Sequence, residues 1–264
     1  MIHSETFEHI GGATVSIDWP VPPPNLSIDT NLIHVWAWDC ACSCADLARY
    51  IDVLSNHERL RMRRFRLDKD RVRYGVSHAI LRILLGHYLG VEPSLVFFEE
   101  NEFGKPFLRR ALAEPRLTFN LSYTDRLVIL GVAAGARIGV DIEKISLIER
   151  GVVDSYFSTL ERSTLASLAG EEWLGGFYNC WTRKEAIIKA EGRGLNIPLN
   201  AFDVSLRPGA QAAVLGVRAG ADFTSNWQLV ELHPGSGFVG ALATDAANKS
   251  VICYRFESCN HRPC

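Results

Sequence analysis

Apolar and polar residues are arranged along the first half of the chain in a pattern that predicts one strand, two helices and then a run of strands. Residues 32–38 alternate apolar and small side chains, which is typical of a strand. Apolar residues recur at helical spacing over residues 45–67 and again over residues 69–89, where Gly90 ends the pattern. Residues 96–99 are a further predicted strand, and the turn at residues 103–106 leads into another. Turns that contain glycine or aspartate separate three more predicted strands, which are residues 117–122, 127–134 and 138–143.

The second half mixes helices and strands in the same way. Ser158 and Glu161 fit a capping box at the start of a helix. A long helix is predicted over residues 171–191, and Gly192 ends it. Short strands are predicted at residues 202–206, 227–232 and 238–243.

Strands and helices alternate without strict β-α-β order in each half, which predicts an α+β fold made of two subdomains of similar build. The turn at Gly135 is the predicted boundary between residues 31–135 and residues 136–264. Residues 1–30 form a predicted extended lead-in to these subdomains. Four prolines in the lead-in support this prediction: Pro20, Pro22, Pro23 and Pro24.

Composition narrows the class of protein. The chain has 264 residues, of which 47% are hydrophobic and 22% charged, close to the norm for soluble globular proteins. Its apolar runs are far shorter than the ~20 residues that a membrane span needs. The first ten residues are polar, unlike a secretory signal peptide. We therefore expect a soluble cytoplasmic protein without a membrane partner.

The seven cysteines predict reduced thiols in such a compartment. Cys40, Cys42 and Cys44 lie at alternate positions, but they lack the two- to four-residue spacers of common zinc sites. Small side chains packed near a strand end are the favoured interpretation. A thiol-ligated metal or redox protein is the alternative that this segment leaves open.

A short segment, GVDIE at residues 139–143, places two carboxylates side by side. Side chains alternate along a strand, so Asp141 and Glu143 should project from one face while Val140 and Ile142 point into the core. Neighbouring carboxylates repel each other unless a cation offsets them, and Mg²⁺ commonly takes one or two carboxylates. A solvated face of an edge strand is the alternative.

Two other predicted elements carry polar groups in a regular pattern. Trp181, Glu185 and Lys189 are spaced by four residues, so they form one stripe on their helix. The stripe offers an aromatic wall, a third carboxylate and a cation, although an exposed Glu–Lys pair is the simpler alternative. Asn120 and Ser122 project from one side of their strand, where they serve either a phosphate or ordinary turn chemistry.

Net charge is −2 at pH 7, but positive charge is concentrated in residues 59–73. Eight basic residues lie there: Arg59, Arg61, Arg63, Arg64, Arg66, Lys69, Arg71 and Arg73. The overall balance predicts no general affinity for nucleic acid or an anionic membrane, and no nucleic-acid motif accompanies the cluster. Besides a specific anion site, the alternatives are a nucleic-acid patch and a solvated helix face.

Together these segments resemble the larger, single-chain 4′-phosphopantetheinyl transferases, which modify carrier proteins of peptide, polyketide and fatty-acid synthesis. The resemblance rests on GVDIE and on the pattern W-x-x-KEA-x-x-K-x-x-G-x-GL at residues 181–195. The basic segment, GKP at residues 104–106 and FNLS at residues 119–122 follow the family's order as well. The resemblance covers roughly residues 32–243.

The resemblance implies a pseudo-dimer of two similar α+β subdomains with the active site in the cleft between them. It implies transfer of the 4′-phosphopantetheine group from coenzyme A to a serine hydroxyl of an apo acyl or peptidyl carrier protein. Adenosine 3′,5′-bisphosphate is the implied by-product, and Mg²⁺ is the implied cofactor. A chain that builds its own cleft is expected to act as a monomer.

Site residues follow from the resemblance position by position. Asp141, Glu143 and Glu185 match the family's Mg²⁺-binding acids, and Lys189 matches a lysine that contacts the phosphates. Glu185, or a metal-bound water beside it, is the expected acceptor of the serine proton. Further positions match the family's coenzyme A contacts. Arg61, Arg64 and Arg73 match residues that bind the 3′-phosphate, and Lys105 and Pro106 match the turn that lies against the adenine. Ser122 and Tyr123 are also expected to bind coenzyme A.

Tyr123 departs from the family pattern, in which a histidine often follows the serine of F-N-x-S. Tyrosine offers only a neutral hydroxyl donor at pH 7. We expect Tyr123 to reach the 3′-phosphate of coenzyme A while the nearby arginines supply the positive charge. A binding protein that keeps the coenzyme A and carrier surfaces but does not transfer is the remaining alternative. The presence of all three acids and of Lys189 argues against it.

Overall fold

The computed structural model describes residues 17–24, 26–42, 44–109, 116–148, 151–218 and 226–257. Its helices are α1 (Cys44–Tyr50), α2 (Asn56–Arg63), α3 (Asp68–Leu89), α4 (Gly151–Tyr156), α5 (Thr159–Ala166) and α6 (Gly170–Glu191). Its strands are β1 (Leu32–Asp39), β2 (Phe98–Glu100), β3 (Pro106–Leu108), β4 (Leu117–Thr124), β5 (Leu127–Ala134), β6 (Ile138–Lys144), β7 (Phe202–Val204), β8 (Val214–Val217), β9 (Gln228–Leu232), β10 (Phe238–Thr244) and β11 (Ser250–Arg255). Short 3-10 turns lie at Ile51–Val53, Pro93–Leu95, Gly194–Asn196 and Leu199–Ala201.

The first sheet has four strands in the order β11-β1-β5-β4. Strand β5 is antiparallel to both β1 and β4, whereas β11 lies parallel to β1. Every residue of β5 is buried. The reason is that Val128 and Leu130 pack with the apolar side of α3, while Leu127 and Ile129 face the second sheet. The predicted strands at residues 32–38, 117–122 and 127–134 are confirmed.

The second sheet is antiparallel, with the order β6-β10-β9, and helix α6 packs on β6 and β10. Between the sheets lies an apolar cluster to which Ile33 and Val35 contribute from the first sheet and Val140 and Leu242 from the second. The layers are therefore α3, the first sheet, the second sheet and α6. Helices and largely antiparallel strands make this an α+β fold.

The prediction of one helix over residues 45–67 is wrong. The chain forms α1, a 3-10 turn and α2 instead, and Leu54 is extended (φ −75°, ψ 139°). Ser55 starts α2 with a capping box, in which its side chain accepts from Glu58 N and the Glu58 side chain accepts from Ser55 N. This cap starts a new helix and therefore competes with continuation of α1. The S-x-x-E motif that is typical of such a cap is present at residues 55–58.

Other predicted elements are confirmed with small shifts, and two strands were missed. Helix α3 ends at Gly90 and α6 at Gly192, both in the left-handed region (φ +64° and +75°). The capping box of Ser158 and Glu161 starts α5. The missed strands are β8 and β11, which pair only with strands distant in sequence or across a long loop.

The lead-in of residues 1–30 lies partly outside the described residues, which begin at 17. In the described part Trp19 is buried, and its indole Nε1 donates to His233 O at 2.9 Å. This contact attaches the lead-in to the end of the second sheet. Among the described helices, none is both long and apolar enough to cross a membrane.

Glu58 is expected to make the free energy of unfolding depend on acid. The side chain is 7% exposed, and its Oε2 lies 2.7 Å from Arg82 Nε. Burial raises the pKa of Glu58, but hydrogen bonds from His78 and Ser55 and the charge of Arg82 outweigh burial and lower it to about 2. A carboxyl whose pKa falls on folding stabilises the folded state above its unfolded pKa, and this contribution is lost as pH falls.

We therefore expect wild-type protein to lose about 3 kcal/mol more between pH 5 and pH 2 than Glu58→Gln does. Urea unfolding at several pH values in this range measures the difference. Glu172→Gln, at an exposed position of α6, serves as the matched control and should follow the wild type. Equal acid sensitivity of wild type and Glu58→Gln would contradict the assignment.

Candidate functional site

Strand β6 presents two carboxylates on one face, as the alternation predicts. Val140 and Ile142 are buried in the apolar cluster between the sheets. Asp141 is only 3% exposed, and Glu143 is half-buried. The alternative of a solvated strand face therefore does not describe Asp141, whose carboxylate lies inside the protein.

Helix α6 brings Lys189 to Asp141. The helix backbone lies directly against β6, because a Cβ atom on Gly139 would come within 2.0 Å of Ala186 O. Only glycine permits this approach. Lys189 Nζ consequently lies 2.5 Å from Asp141 Oδ1 and 2.8 Å from Ser122 Oγ. The Lys189 side chain keeps 29% exposure, so its ammonium remains accessible to an anion.

Strands β4 and β6 run side by side where the two sheets meet, and polar side chains of β4 bridge this seam. Ser122 Oγ donates to Asp141 Oδ1 at 3.0 Å, and Thr124 Oγ1 donates to Glu143 Oε2 at 3.2 Å. Asn120 Oδ1 accepts from a backbone N–H of β6 at 2.8 Å. Our sequence interpretation named Asn120 and Ser122 but missed Thr124, which the same two-residue alternation would have found.

Negative charge is crowded at this seam. Burial raises the pKa of Asp141, while Lys189 acts to lower it. Burial also raises the pKa of Glu143 and of Glu185, and the charge of Asp141 adds to each rise. Three carboxylates thus share the seam with Lys189, and their negative charge exceeds what one ammonium neutralises.

One acceptor of the seam has no partner: Asp141 Oδ2 is buried without a hydrogen bond. Within the described part of the chain, no three Asp, Glu, His or Cys side chains are placed so that they could hold a metal ion together. Mg²⁺ needs only one or two carboxylates, because waters and phosphate oxygens complete its octahedron. Hard oxygen donors, excess negative charge and the unpartnered Oδ2 therefore fit a Mg²⁺ ion that a phosphate ligand helps to bind.

The stripe of α6 has its predicted members in place. Lys189 contacts Asp141, and Trp181 hydrogen-bonds Glu143. The Trp181 ring stacks on Phe177, with 6.2 Å between ring centroids and 10° between planes. Trp181 is therefore partly a core residue and partly a wall of the seam.

The basic segment reaches the end of β4 through Arg73. Its guanidinium donates to Asp125 O and to Asp70 Oδ1, each at 3.0 Å. It also lies 4.9 Å from the centroid of the Tyr123 ring, a cation–π contact. This contact places positive charge at the exposed end of β4, on the strand that also carries Ser122.

Arg61 belongs to the same surface. Its guanidinium lies 5.7 Å from the centroid of the Tyr74 ring. Burial raises the pKa of Tyr74 to about 12, and the neighbouring Tyr123 adds to the rise. The structure thus brings Arg61, Arg73 and Tyr123 together. Arg64 caps the end of α2 and is exposed, and its contribution to this surface stays a prediction.

The Lys105 side chain reaches the C-terminal end of α6, next to Lys189 in the chain. The Lys105 ammonium is turned into the protein and donates to Ile138 O at 3.2 Å and Ala190 O at 2.9 Å. Pro106 is exposed at the start of β3. The expectation that this turn lies against an adenine stays a prediction.

The described side chains of the cysteine segment, Cys40 and Cys42, pack in or against the hydrophobic core. Cys40 is buried, its Sγ lies 3.2 Å from Ser77 Oγ, and burial raises the pKa of the thiol to about 12. A thiol held protonated in this way is a poor metal ligand. Cys42 is half-buried, and the Cys44 side chain lies outside the described residues.

Comparison with known proteins gives two matching family models. The model described as the 4′-phosphopantetheinyl transferase superfamily matches residues 137–245. The model described as the N-terminal part of 4′-phosphopantetheinyl transferase matches residues 37–135. Together the two ranges include β4, β6 and α6, whose residues form the seam.

Individual relatives match along most of their length. The 4′-phosphopantetheinyl transferase HetI of Nostoc sp. is 33% identical over 227 residues, 85% of this chain and 92% of that protein. The transferase ffp of Bacillus subtilis is 32% identical over 78% of this chain and 84% of its own length. The transferase Sfp of Bacillus subtilis is 31% identical over 63% of this chain and 72% of its own. The chain therefore belongs to the 4′-phosphopantetheinyl transferase superfamily, in its larger, Sfp-like type.

Proposed function

We propose that this transferase moves the 4′-phosphopantetheine group from coenzyme A to a serine hydroxyl of an apo acyl or peptidyl carrier protein, with Mg²⁺ as cofactor. The serine oxygen bonds to the β-phosphorus, the pyrophosphate bond breaks, and adenosine 3′,5′-bisphosphate leaves. The observation that carries the proposal is the contact of Lys189 with Asp141 and Ser122 beside two further carboxylates.

The reaction demands positioning of the two substrates and stabilisation of charge on the phosphoryl oxygens. Lys189 is the proposed donor to those oxygens, because its ammonium is anchored on Asp141 yet partly exposed. Glu185 is the proposed acceptor of the serine proton. Burial, and next the charge of Asp141, raise the pKa of Glu185 and make it a stronger base than a free glutamate.

Asp141, Glu143 and Glu185 are the proposed Mg²⁺-binding acids. One or two of them would bind the ion directly, and waters and phosphate oxygens would complete its coordination. The crowded charge of these acids and the unpartnered Oδ2 of Asp141 support this assignment. When bound, the ion would neutralise charge on the pyrophosphate. Ser122 and Thr124 keep two of these acids in place through their hydroxyl donors.

Arg61, Arg64, Arg73 and Tyr123 are the proposed contacts of the coenzyme A 3′-phosphate. The ring of Tyr123 lies beneath the Arg73 guanidinium, so the arginine carries the charge that a histidine would otherwise supply. Three further positions complete the proposed donor site: Pro106, the stem of Lys105, and Ser122 beside the phosphates.

We further propose two similar subdomains, residues 31–135 and 136–264, after a lead-in of residues 1–30. The ranges of the two family models, residues 37–135 and 137–245, leave only residue 136 between them and support this division. The second subdomain would lend β11 to the first, since β11 pairs with β1. The proposed active-site cleft is the junction of the two at β4 and β6, and a single chain that carries both sides is proposed to act as a monomer.

Intact-mass spectrometry of an apo acyl carrier protein tests the transfer. We expect a mass gain of one phosphopantetheine after incubation with this protein, coenzyme A and Mg²⁺. EDTA, or the substitution Glu185→Ala, should abolish the gain, because each removes a component that the proposed chemistry requires. With 3′-dephospho-coenzyme A as donor, transfer should be slower, because Arg73 and Arg61 would lose their anion.

A panel of peptidyl carriers follows if the acyl carrier is not modified. No mass gain with any carrier would contradict the proposal and favour a protein that binds coenzyme A or carriers without transfer. A gain that survives both EDTA and Glu185→Ala would contradict the assigned roles of Mg²⁺ and of this acid.

A further inference from the structure

The turn between β2 and β3 is bonded to the end of α6. Asn101 Oδ1 accepts from the backbone N–H groups of Phe103 (3.0 Å) and Lys105 (2.8 Å), which closes the turn. Asn101 Nδ2 then points away from the turn and donates to Gly192 O at 2.7 Å. Gly192 is the C-cap of α6. One side chain therefore shapes the turn and satisfies a carbonyl at the end of the helix.

Lys105 makes a second connection from the same turn. Its Nζ donates to Ala190 O on α6 and to Ile138 O on β6, so one ammonium joins both elements. Burial, followed by the charge of Arg137, lowers the pKa of Lys105 to about 8, with Glu191 and Asp245 acting in the opposite direction. The group is thus still protonated at pH 7, and a cation at a helix C-terminus is favourable.

Close packing completes this contact. A Cβ atom on Gly192 would lie 2.7 Å from Lys105 Cδ and 3.3 Å from Asn101 Nδ2. The turn therefore rests directly on the helix end, where glycine alone leaves room for it. We call Asn101, Lys105 and Gly192 the clasp.

The clasp acts on the same stretch of backbone that places the reactive side chains. Ala190 follows Lys189 in the chain, and Ile138 lies three residues before Asp141. By joining Ala190 to Ile138, Lys105 adds a connection to the close packing at Gly139, which already holds α6 along β6. The 2.5 Å contact of Lys189 with Asp141 depends on that placement.

We propose that Asn101 and Lys105 are positioning residues of the transfer reaction, which hold the end of α6 on β6 so that Lys189 stays on Asp141. This inference rests on the proposed function. It assigns the Lys105 ammonium to the helix and leaves only the stem of Lys105 and Pro106 for the donor. If the ammonium instead served the donor, its loss would raise the KM for coenzyme A.

Two variants open the clasp in different ways. Asn101→Asp keeps the oxygen that accepts the turn N–H groups but puts a second acceptor opposite Gly192 O. Lys105→Met keeps the aliphatic stem and removes the ammonium. Lys249→Met is the matched control, because Lys249 Nζ also joins two backbone carbonyls, of Thr30 and Ala134, far from α6.

Steady-state kinetics with a carrier protein and hydrogen exchange of the free protein give the two readouts. We expect both clasp variants to lower kcat about tenfold while KM for coenzyme A changes less than about twofold, since small displacements of reacting groups cost rate more than binding. Exchange should quicken in residues 187–192 and stay unchanged in residues 170–177. Lys249→Met should leave kcat and the exchange of α6 as in the wild type.

A higher KM with unchanged kcat would overturn the proposal, because Lys105 would then act on the donor. Faster exchange with unchanged kcat would also overturn it, since the clasp would be structural only. A lower kcat without faster exchange at residues 187–192 would also contradict the proposal, because the end of α6 would then stay in place without the clasp. Wild-type protein without transfer would refute the proposed function and the positioning role with it, whereas exchange would still report whether the clasp exists.

Discussion

Asp141→Asn is expected to lower kcat by about a hundred- to a thousandfold, the usual cost of removing one charge-stabilising group from a preorganised site. The substitution keeps the size and shape of the side chain and removes its negative charge. That charge anchors Lys189 at 2.5 Å and leaves Oδ2 available for the proposed Mg²⁺. Rates of phosphopantetheine transfer to an apo carrier, measured at saturating coenzyme A and Mg²⁺, give the comparison.

Stability should not follow activity in this variant. Burial raises the pKa of Asp141 in spite of the opposing charge of Lys189, so folding favours the neutral form of this side chain, and the neutral amide should leave Tm unchanged or raise it. Asp203→Asn is the matched control, because Asp203 is half-buried and pairs with Arg218 at 2.9 Å. It should retain wild-type kcat. A similar loss of kcat in both variants, or a collapse of Tm in Asp141→Asn, would show that the effect is not specific to the seam.

Lys184→Met is expected to destabilise the protein by about 3–5 kcal/mol, the cost of leaving one partner of a buried ion pair alone. Lys184 is fully buried, and its Nζ lies 2.8 Å from Glu161 Oε1. The same ammonium donates to Leu199 O and Phe202 O, each at 2.6 Å. Methionine fills the space but satisfies none of these acceptors. Urea unfolding at pH 7 measures the loss of free energy.

Lys144→Met provides the comparison on the surface. Lys144 pairs with Asp125 at 2.7 Å, but both side chains are about half exposed. Exposed pairs contribute below about 1 kcal/mol, so this variant should unfold close to the wild type. The double variant Glu161→Gln/Lys184→Met should recover part of the loss, since the buried charge is removed together with its partner. Equal losses in Lys144→Met and Lys184→Met would refute the role of burial.

Much of the fold could be predicted because periodicity is a local property of the sequence. The alternation at residues 138–143 places Asp141 and Glu143 on one face, and the structure has them there. The helical spacing of Trp181 and Lys189 survives in α6 in the same way. Glycine at the ends of α3 and α6 marked both helix ends correctly, since only glycine readily adopts their left-handed backbone.

Local signals were less decisive where two of them competed. The apolar ridge over residues 45–67 favoured one helix, whereas the Ser55–Glu58 cap divides that stretch into two. The sequence pattern of residues 250–255 did not predict strand β11. These residues form a strand because they pair in parallel with β1. Pairing of this kind depends on chain segments that are far apart in sequence.

The sequence alone determined which residue types lie on which face of β4, β6 and α6, because one-dimensional spacing decides that. Only the tertiary structure decided what each group does. Lys184 and Lys189 look alike in the motif, yet one is closed in an ion pair with Glu161 and the other meets Asp141 at the seam. Lys105 faces the carbonyls of α6 for the same reason. The helices and strands packed around a lysine determine which groups its ammonium contacts, and that packing is a property of the whole fold.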